Sequence, residues 1–123
     1  MIRPRRSVLY RPGSNQRALE KAKTLPADGL ILDLEDSVAP EAKDLARRQV
    51  AAVVKAGGFG SREVIVRVNG LDTEWAKDDM AAVAKCGADA FLFPKIQSPE
   101  DVQQAVALLD SAGAPKAAPL WIM

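Results

Sequence analysis

The chain contains no histidine and one cysteine, Cys86. Without those side chains, the usual zinc sites and the Ser-His or Cys-His nucleophile systems are excluded within this sequence. A single cysteine cannot close an intrachain disulfide, so a reducing cytoplasm is the expected compartment. Neither sign of charge is in excess. Lys and Arg total 17 against 16 Asp and Glu, a formal charge of +1. That balance gives no electrostatic case for nucleic acid or an anionic membrane as partner. The amino terminus is basic (Arg3, Arg5, Arg6), but no apolar core of signal-peptide length follows it. No apolar run approaches the ~20 residues that span a bilayer. Any chemistry must therefore rest on carboxylates, arginine, lysine and bound ions or cofactors.

What is present suits one globular domain: 123 residues, 48% hydrophobic and 27% charged. Short apolar runs alternate with amphipathic stretches. Ser7 to Tyr10 reads as a first strand stopped by Pro12-Gly13, and Gly29 to Leu34 as a second. Val64 to Val68 reads as a third, closed by Asn69-Gly70. Ala90 to Phe93 is a fourth, stopped by Pro94, and Leu120 to Met123 begins a fifth. Continuous apolar runs of this kind suit strands buried on both faces, as in a parallel sheet. The intervening segments read as helices. Ser14 to Lys23 is the shortest. Ala42, Leu45, Ala46, Val50, Val53 and Val54 repeat at helical spacing behind Pro40. Asp72 or Thr73 is positioned to cap a third helix with Trp75, Met80, Val83 and Ala84 on its inner face. Ser98-Pro99-Glu100-Asp101 starts a fourth, with the stripe Val102, Ala105, Val106 and Leu109 and a stop at Gly113.

Two architectures accommodate five strands joined by helical crossovers. One is a doubly wound domain, which this length just fits. The other is a (β/α)₈ TIM barrel of about 250 residues, of which this chain would supply five strands and four helices. In both, sites collect at the carboxyl ends of the strands. Those positions hold Tyr10-Arg11-Pro12-Gly13, Asp33-Leu34-Glu35-Asp36, Arg67-Val68-Asn69-Gly70 and Pro94-Lys95. The acidic group can hold a divalent ion directly or through water, or can cap the next helix. Arg67 sits inside an otherwise apolar strand, Val64 to Val68, and needs an anionic or carbonyl partner. Either a salt bridge to Glu35 or Asp36 or a bound substrate would serve. Lys95 could pair with a neighbouring carboxylate. Pro12-Gly13-Ser14-Asn15 could present N–H groups to an anion or form a tight turn. Arg17 and Lys21, four apart, could together meet an anionic ligand or be solvated.

These residues together resemble one family. Arg6 to Gly13, Glu20-Lys21-Ala22, Leu32 to Pro40 (LDLEDSVAP), Lys43, Ala46-Arg47, Arg67 to Gly70 and Pro94-Lys95 recur in order in the HpcH/HpaI aldolase and citrate lyase β-subunit-like family. That family includes malyl-CoA and citramalyl-CoA lyases. The resemblance covers essentially the whole chain and favours the TIM barrel, with residues 1–123 as the amino-terminal part of a single lyase domain. It implies a Mg²⁺-dependent enzyme that cleaves or forms a carbon–carbon bond in 3-hydroxy acyl-thioesters, usually of coenzyme A. Arg67 then matches the arginine that stabilises the developing oxyanion, and Glu35 and Asp36 match acids reaching the metal through water. Tyr10 and Lys21 match residues contacting coenzyme A. Asn15 stands where some relatives carry a basic residue, for which Arg17 could substitute.

The resemblance also places the direct metal ligands, a Glu and an Asp, beyond Met123, so this polypeptide alone is expected to be inactive. A trimer or hexamer is expected for the complete protein. Two other functions stay open: a non-catalytic acyl-thioester-binding or assembly subunit of a lyase complex, and a CoA-independent 2-keto acid aldolase. A receiver-type signalling module would need paired acids after its first strand and an acceptor Asp after its third. Tyr10-Arg11-Pro12 and Arg67-Val68-Asn69 stand there instead.

Overall fold

The five apolar runs form one parallel sheet in the computed structural model, which describes residues 3–115 and the backbone of residues 120–122. The strands are β1 Val8–Pro12, β2 Gly29–Asp33, β3 Glu63–Arg67, β4 Ala90–Phe93 and β5 Leu120–Ile122. Met123, expected in β5, lies outside the described residues. Four helices connect them: α1 Gln16–Ala22, α2 Lys43–Ala56, α3 Ala76–Val83 and α4 Pro99–Ser111. The sheet order is β1-β2-β3-β4-β5, each strand pairing in parallel with the next.

All four helices pack on one face. Leu19 and Ala22 of α1, Ala46 and Val50 of α2, Met80 and Val83 of α3, and Ala105 and Leu109 of α4 share a core with Leu30, Leu32, Val64, Val66, Phe91 and Phe93. Each fully buried side chain of this size contributes about 1.5–3 kcal/mol through removal from water. The alternate strand residues Ile31, Ile65, Ala90 and Leu92, with Val8 against them, form a separate cluster on the other face. A doubly wound domain reverses its strand order and covers both faces with helices. The observed sheet does neither among the described residues, so that alternative is set aside.

Local chemistry sets the boundaries. Pro40 opens a 3₁₀ turn, Pro40–Ala42, which runs into α2. Ser98 caps α4 by accepting from the Asp101 N–H at 3.2 Å, and the Asp101 carboxylate accepts from the Gln97 N–H at 2.9 Å. Gly113 follows α4 at φ 79°. The expected cap of α3 is not made. Trp75 occupies the cap position, and the Thr73 hydroxyl instead donates to the Gly70 carbonyl at 2.6 Å, closing the turn after β3. Leu45 and Val106, placed on apolar stripes, are exposed at the flanks of their helices. Short α1 ends against Arg62, whose guanidinium donates to the carbonyls of Ala22, Lys23 and Leu25. These carbonyls lie at and just past the end of α1, and the cation suits that end of its dipole.

The basic amino terminus is structural. Arg3, Arg5 and Arg6 run beneath the amino ends of the strands and pair in turn with Asp89, Glu63 and Asp28. These acids stand at the starts of β4, β3 and β2. The Arg5–Glu63 pair is bidentate at 2.6 and 3.0 Å, and Glu63 is buried. The Arg6 guanidinium and backbone N–H hold the Asp28 carboxyl at about 2.

Candidate active site at the carboxyl ends of the strands

Asp33 ends β2 and Arg67 ends β3, directly opposite one another in the register. Both point to the face free of helices, above Ile31 and Ile65. Arg67 Nε donates to Asp33 Oδ1 at 2.8 Å, and Nη2 donates to Oδ2 at 2.9 Å. This bidentate geometry is what a planar guanidinium does best. Asp33 also accepts the N–H groups of Glu35 and Ser37, each at 2.9 Å, and the Ser37 hydroxyl at 2.6 Å. One carboxylate thus anchors the arginine and folds the turn after β2. Burial alone would raise the Asp33 carboxyl; the hydrogen bonds from Arg67, Ser37 and the two amides outweigh it and bring it to about 2. The ion pair to Asp33 raises Arg67 further, against its own burial.

Glu35 is buried on the same rim between two cations. Its Oε1 lies 3.4 Å from Arg67 Nη1, and its Oε2 lies 3.3 Å from Lys95 Nζ. The Tyr10 ring stacks on the Arg67 guanidinium, 4.7 Å from centroid to Cζ. Tyr10, Asp33, Glu35, Arg67 and Lys95 therefore form one group, drawn from the ends of β1 to β4. Of the two partners open to Arg67, a carboxylate of the chain (Glu35 or Asp36) or a bound substrate, a carboxylate is present, but a different one. Asp33 takes the bidentate role, Glu35 the longer contact, and Asp36 stands exposed outside the group.

A second, buried network supports this rim from the helix side. Lys43 Nζ donates to the carbonyls of Leu34 and Glu35 at 2.9 and 2.8 Å and to Asn69 Oδ1 at 2.8 Å. Its ammonium also sits 5.0 Å from the Trp75 ring centroid. Burial lowers the Lys43 ammonium, opposed by the field of Asp79, Asp33, Glu35 and Asp36. The Asn69 amide donates to the Leu34 carbonyl at 2.9 Å and to Asp79 Oδ2 at 2.6 Å. Asp79 in turn accepts from Arg47 Nε at 2.7 Å. The turns after β2 and β3 are thereby fastened to α2 and α3. Sequence reasoning did not assign this network. Its signal was polar residues at positions facing the core of α2 and α3, namely Lys43, Arg47 and Asp79.

Arg17 and Lys21 are exposed on α1, in the helix layer rather than on the rim. The Gly13 turn is tight rather than an anion cradle. Its N–H donates to the Asp33 carbonyl at 2.8 Å, and the Asn15 N–H donates to the Pro12 carbonyl at 3.1 Å. Asn15 caps α1 through Oδ1, which accepts from the Ala18 N–H at 3.0 Å. Among the described residues, no three Asp, Glu, Cys or His side chains converge to hold a metal ion, and no helix is long and apolar enough to cross a membrane. Cys86 is a free, buried thiol, pushed up by burial.

The chain is similar to known proteins along most of its length. The chain is 49% identical over 120 residues to a (3S)-malyl-CoA thioesterase of Cereibacter sphaeroides, covering 98% of this chain and 40% of that protein. It is 45% identical over 100 residues to the citrate lyase subunit beta of Escherichia coli, covering 81% of this chain and 33% of that one. Among solved structures, the protein CitE of Mycobacterium tuberculosis, in complex with magnesium, acetoacetate and coenzyme A, superposes with a TM-score of 0.69 at 26% identity. That match covers 94% of this chain and 38% of the other. The chain thus spans well under half the length of the relatives it matches. The family model for HpcH/HpaI aldolase/citrate lyase matches residues 6–115, and the chain belongs to that family.

Proposed function

We propose that this chain forms the first five strands and four helices of a (β/α)₈ barrel enzyme that cleaves or forms a carbon–carbon bond in 3-hydroxy acyl-thioesters of coenzyme A. The observation that carries this reading is the Asp33–Arg67–Glu35 cluster at the carboxyl ends of consecutive parallel strands, where barrel enzymes place their chemistry. Breaking such a bond leaves negative charge on the thioester's enolate oxygen and a carbonyl on the departing fragment. Arg67 is held rigidly by Asp33, so its guanidinium meets that charge without reorganising. Tyr10 covers the guanidinium's face and limits water there. Lys21 and Arg17 on α1 are positioned on the outside for the coenzyme's anionic portion.

The described residues do not compose a metal site by themselves. Both Asp33 oxygens are engaged by Arg67, and Glu35 lies between two cations. Glu35 and Asp36 suit contact through metal-bound water, with direct ligands supplied by residues outside this segment. When bound, Mg²⁺ would supply Lewis-acid charge to the substrate oxygens.

The 49% identity to a thioesterase favours a second reading, hydrolysis of the thioester at the same rim. One experiment separates the two. The native protein that carries this chain is incubated with (3S)-malyl-CoA and Mg²⁺, and the products are resolved by mass. Acetyl-CoA with glyoxylate supports the lyase; malate with free coenzyme A supports the hydrolase. With Arg67→Gln, the observed activity is expected to fall about 10²–10³-fold. Equal turnover by that variant, or no turnover by the parent, sinks the assignment.

A further inference from the structure

The Lys43 ammonium is buried, and its three hydrogens meet three acceptors: the Leu34 carbonyl, the Glu35 carbonyl and Asn69 Oδ1. No donor is left over for a ligand. For stability alone the charge is a poor choice, because apolar residues of similar volume often replace buried ionic groups without loss. What the charge secures lies one peptide group away.

That group joins Leu34 to Glu35. Its carbonyl, on Leu34, accepts from Lys43 Nζ and from Asn69 Nδ2, both at 2.9 Å. Its N–H, on Glu35, donates to Asp33 Oδ1 at 2.9 Å. The same oxygen accepts from Arg67 Nε at 2.8 Å. Lys43 on the helix side and Arg67 on the open face are thus linked through one peptide group and one carboxylate. A cation on the carbonyl polarises the peptide and strengthens its N–H as a donor. It also fixes the plane of a peptide that, without it, is freer to turn over in the loop after β2. The Leu34 N–H is tied separately, to the Arg67 carbonyl at 2.9 Å.

We infer that Lys43 is a positioning residue: it sets the orientation of the Arg67 guanidinium through the Leu34–Glu35 peptide and Asp33. Its catalytic consequence rests on the thioester reading above, in which the guanidinium must meet the developing oxyanion without reorganising. Asn69 shares the role, itself anchored by Asp79 at 2.6 Å, and Asp79 is held by Arg47. The lysine acts on the reaction without touching the substrate.

The test reads Arg67 directly. In the native protein that carries this chain, solvent exchange of the Arg67 Nε–H is followed by heteronuclear NMR. The Arg62 Nε–H, which donates to the Phe59 carbonyl at 2.8 Å ahead of β3, is the internal reference. Lys43→Met is expected to speed Arg67 exchange about tenfold relative to Arg62, as loss of one hydrogen bond to a charged group allows. Leu109→Ala, a comparable destabilisation of the core at α4, should leave that ratio within about twofold. Lys43→Gln keeps a neutral donor and should show a smaller rise; it carries the test if Lys43→Met does not fold. An unchanged ratio in the Lys43 variants, or an equal rise in Leu109→Ala, overturns the proposal. With (3S)-malyl-CoA and Mg²⁺, Lys43→Met should lower kcat about tenfold and leave KM within about twofold. A raised KM with unchanged kcat counts against it. If the parent does not turn over that thioester, the thioester reading falls, and the exchange ratio still decides whether Lys43 holds Arg67.

Discussion

Asp33 and Arg67 end neighbouring strands at one level of the sheet and meet through two hydrogen bonds of 2.8 and 2.9 Å. The pair is buried. Removing Asp33 leaves the buried Arg67 guanidinium with only its longer contact to Glu35. Asp33→Ala is therefore expected to destabilise the protein by about 3–5 kcal/mol, read from urea unfolding. The double variant Asp33→Leu, Arg67→Met should recover much of that loss, because no charge is left unpaired. Full persistence of the loss would mean that the turn bonds of Ser37 and Glu35 dominate.

The same pair sets an acid limit. The Asp33 carboxyl is lowered from 3.8 to about 2 in the folded protein. A depressed carboxyl stabilises the folded state above its unfolded value, and that contribution is lost as pH falls through the folded value. Stability should drop by on the order of 2 kcal/mol between about pH 4 and pH 2. Asp28, also lowered to about 2 by Arg6, titrates in the same window. Asp33→Asn should therefore remove the Asp33 part of the slope and leave the part that Asp28 contributes.

Lys43 spends its ammonium on three buried acceptors. Lys43→Met keeps the aliphatic stem but takes the ammonium from the Leu34 and Glu35 carbonyls and leaves Asn69 Oδ1 without its donor. A loss of about 2–4 kcal/mol is expected from unsatisfied buried acceptors, measured by chemical denaturation. A loss below about 0.5 kcal/mol, the range of ordinary surface changes, would show that water replaces the ammonium freely.

Gly13 is required by crowding rather than by its torsion angle. A Cβ there would meet the Asp33 carbonyl at 2.7 Å and Val50 Cγ2 at 2.8 Å. Gly13→Ala must push the β1 turn off both the end of β2 and α2. It is expected to cost about 1–3 kcal/mol, as overpacking does, and to lower the melting temperature. An unchanged Tm would mean that the turn shifts without resistance.

The strand runs were legible because apolar side chains on both faces leave no polar alternation to confuse them. Partners were harder. Asp33 and Glu35 both precede a helix, and only the register shows that β2 stops at Asp33, level with Arg67. Leu45 and Val106 sit at the borders of their helical stripes, where periodicity alone cannot separate a covered flank from an open one. Lys43 and Asn69 were named in the resemblance, but their pairing with each other and with Asp79 was not readable, since contacts made across 26 and 10 residues leave no local pattern. The strand order and single helix layer were not readable from β-α alternation, which is common to both candidate architectures; the family resemblance is what favoured the barrel.

The arginine arm beneath the sheet has a consequence for the order in which the chain assembles. Arg6 finds Asp28 only 22 residues away, Arg5 finds Glu63 after 58, and Arg3 waits for Asp89 at the start of β4. Closing a longer loop costs more chain entropy, and during synthesis the distant partner does not yet exist. The arginine arm, made before any of these partners, is thus fastened stepwise as each strand arrives, and Arg3 is secured only once the fourth is in place.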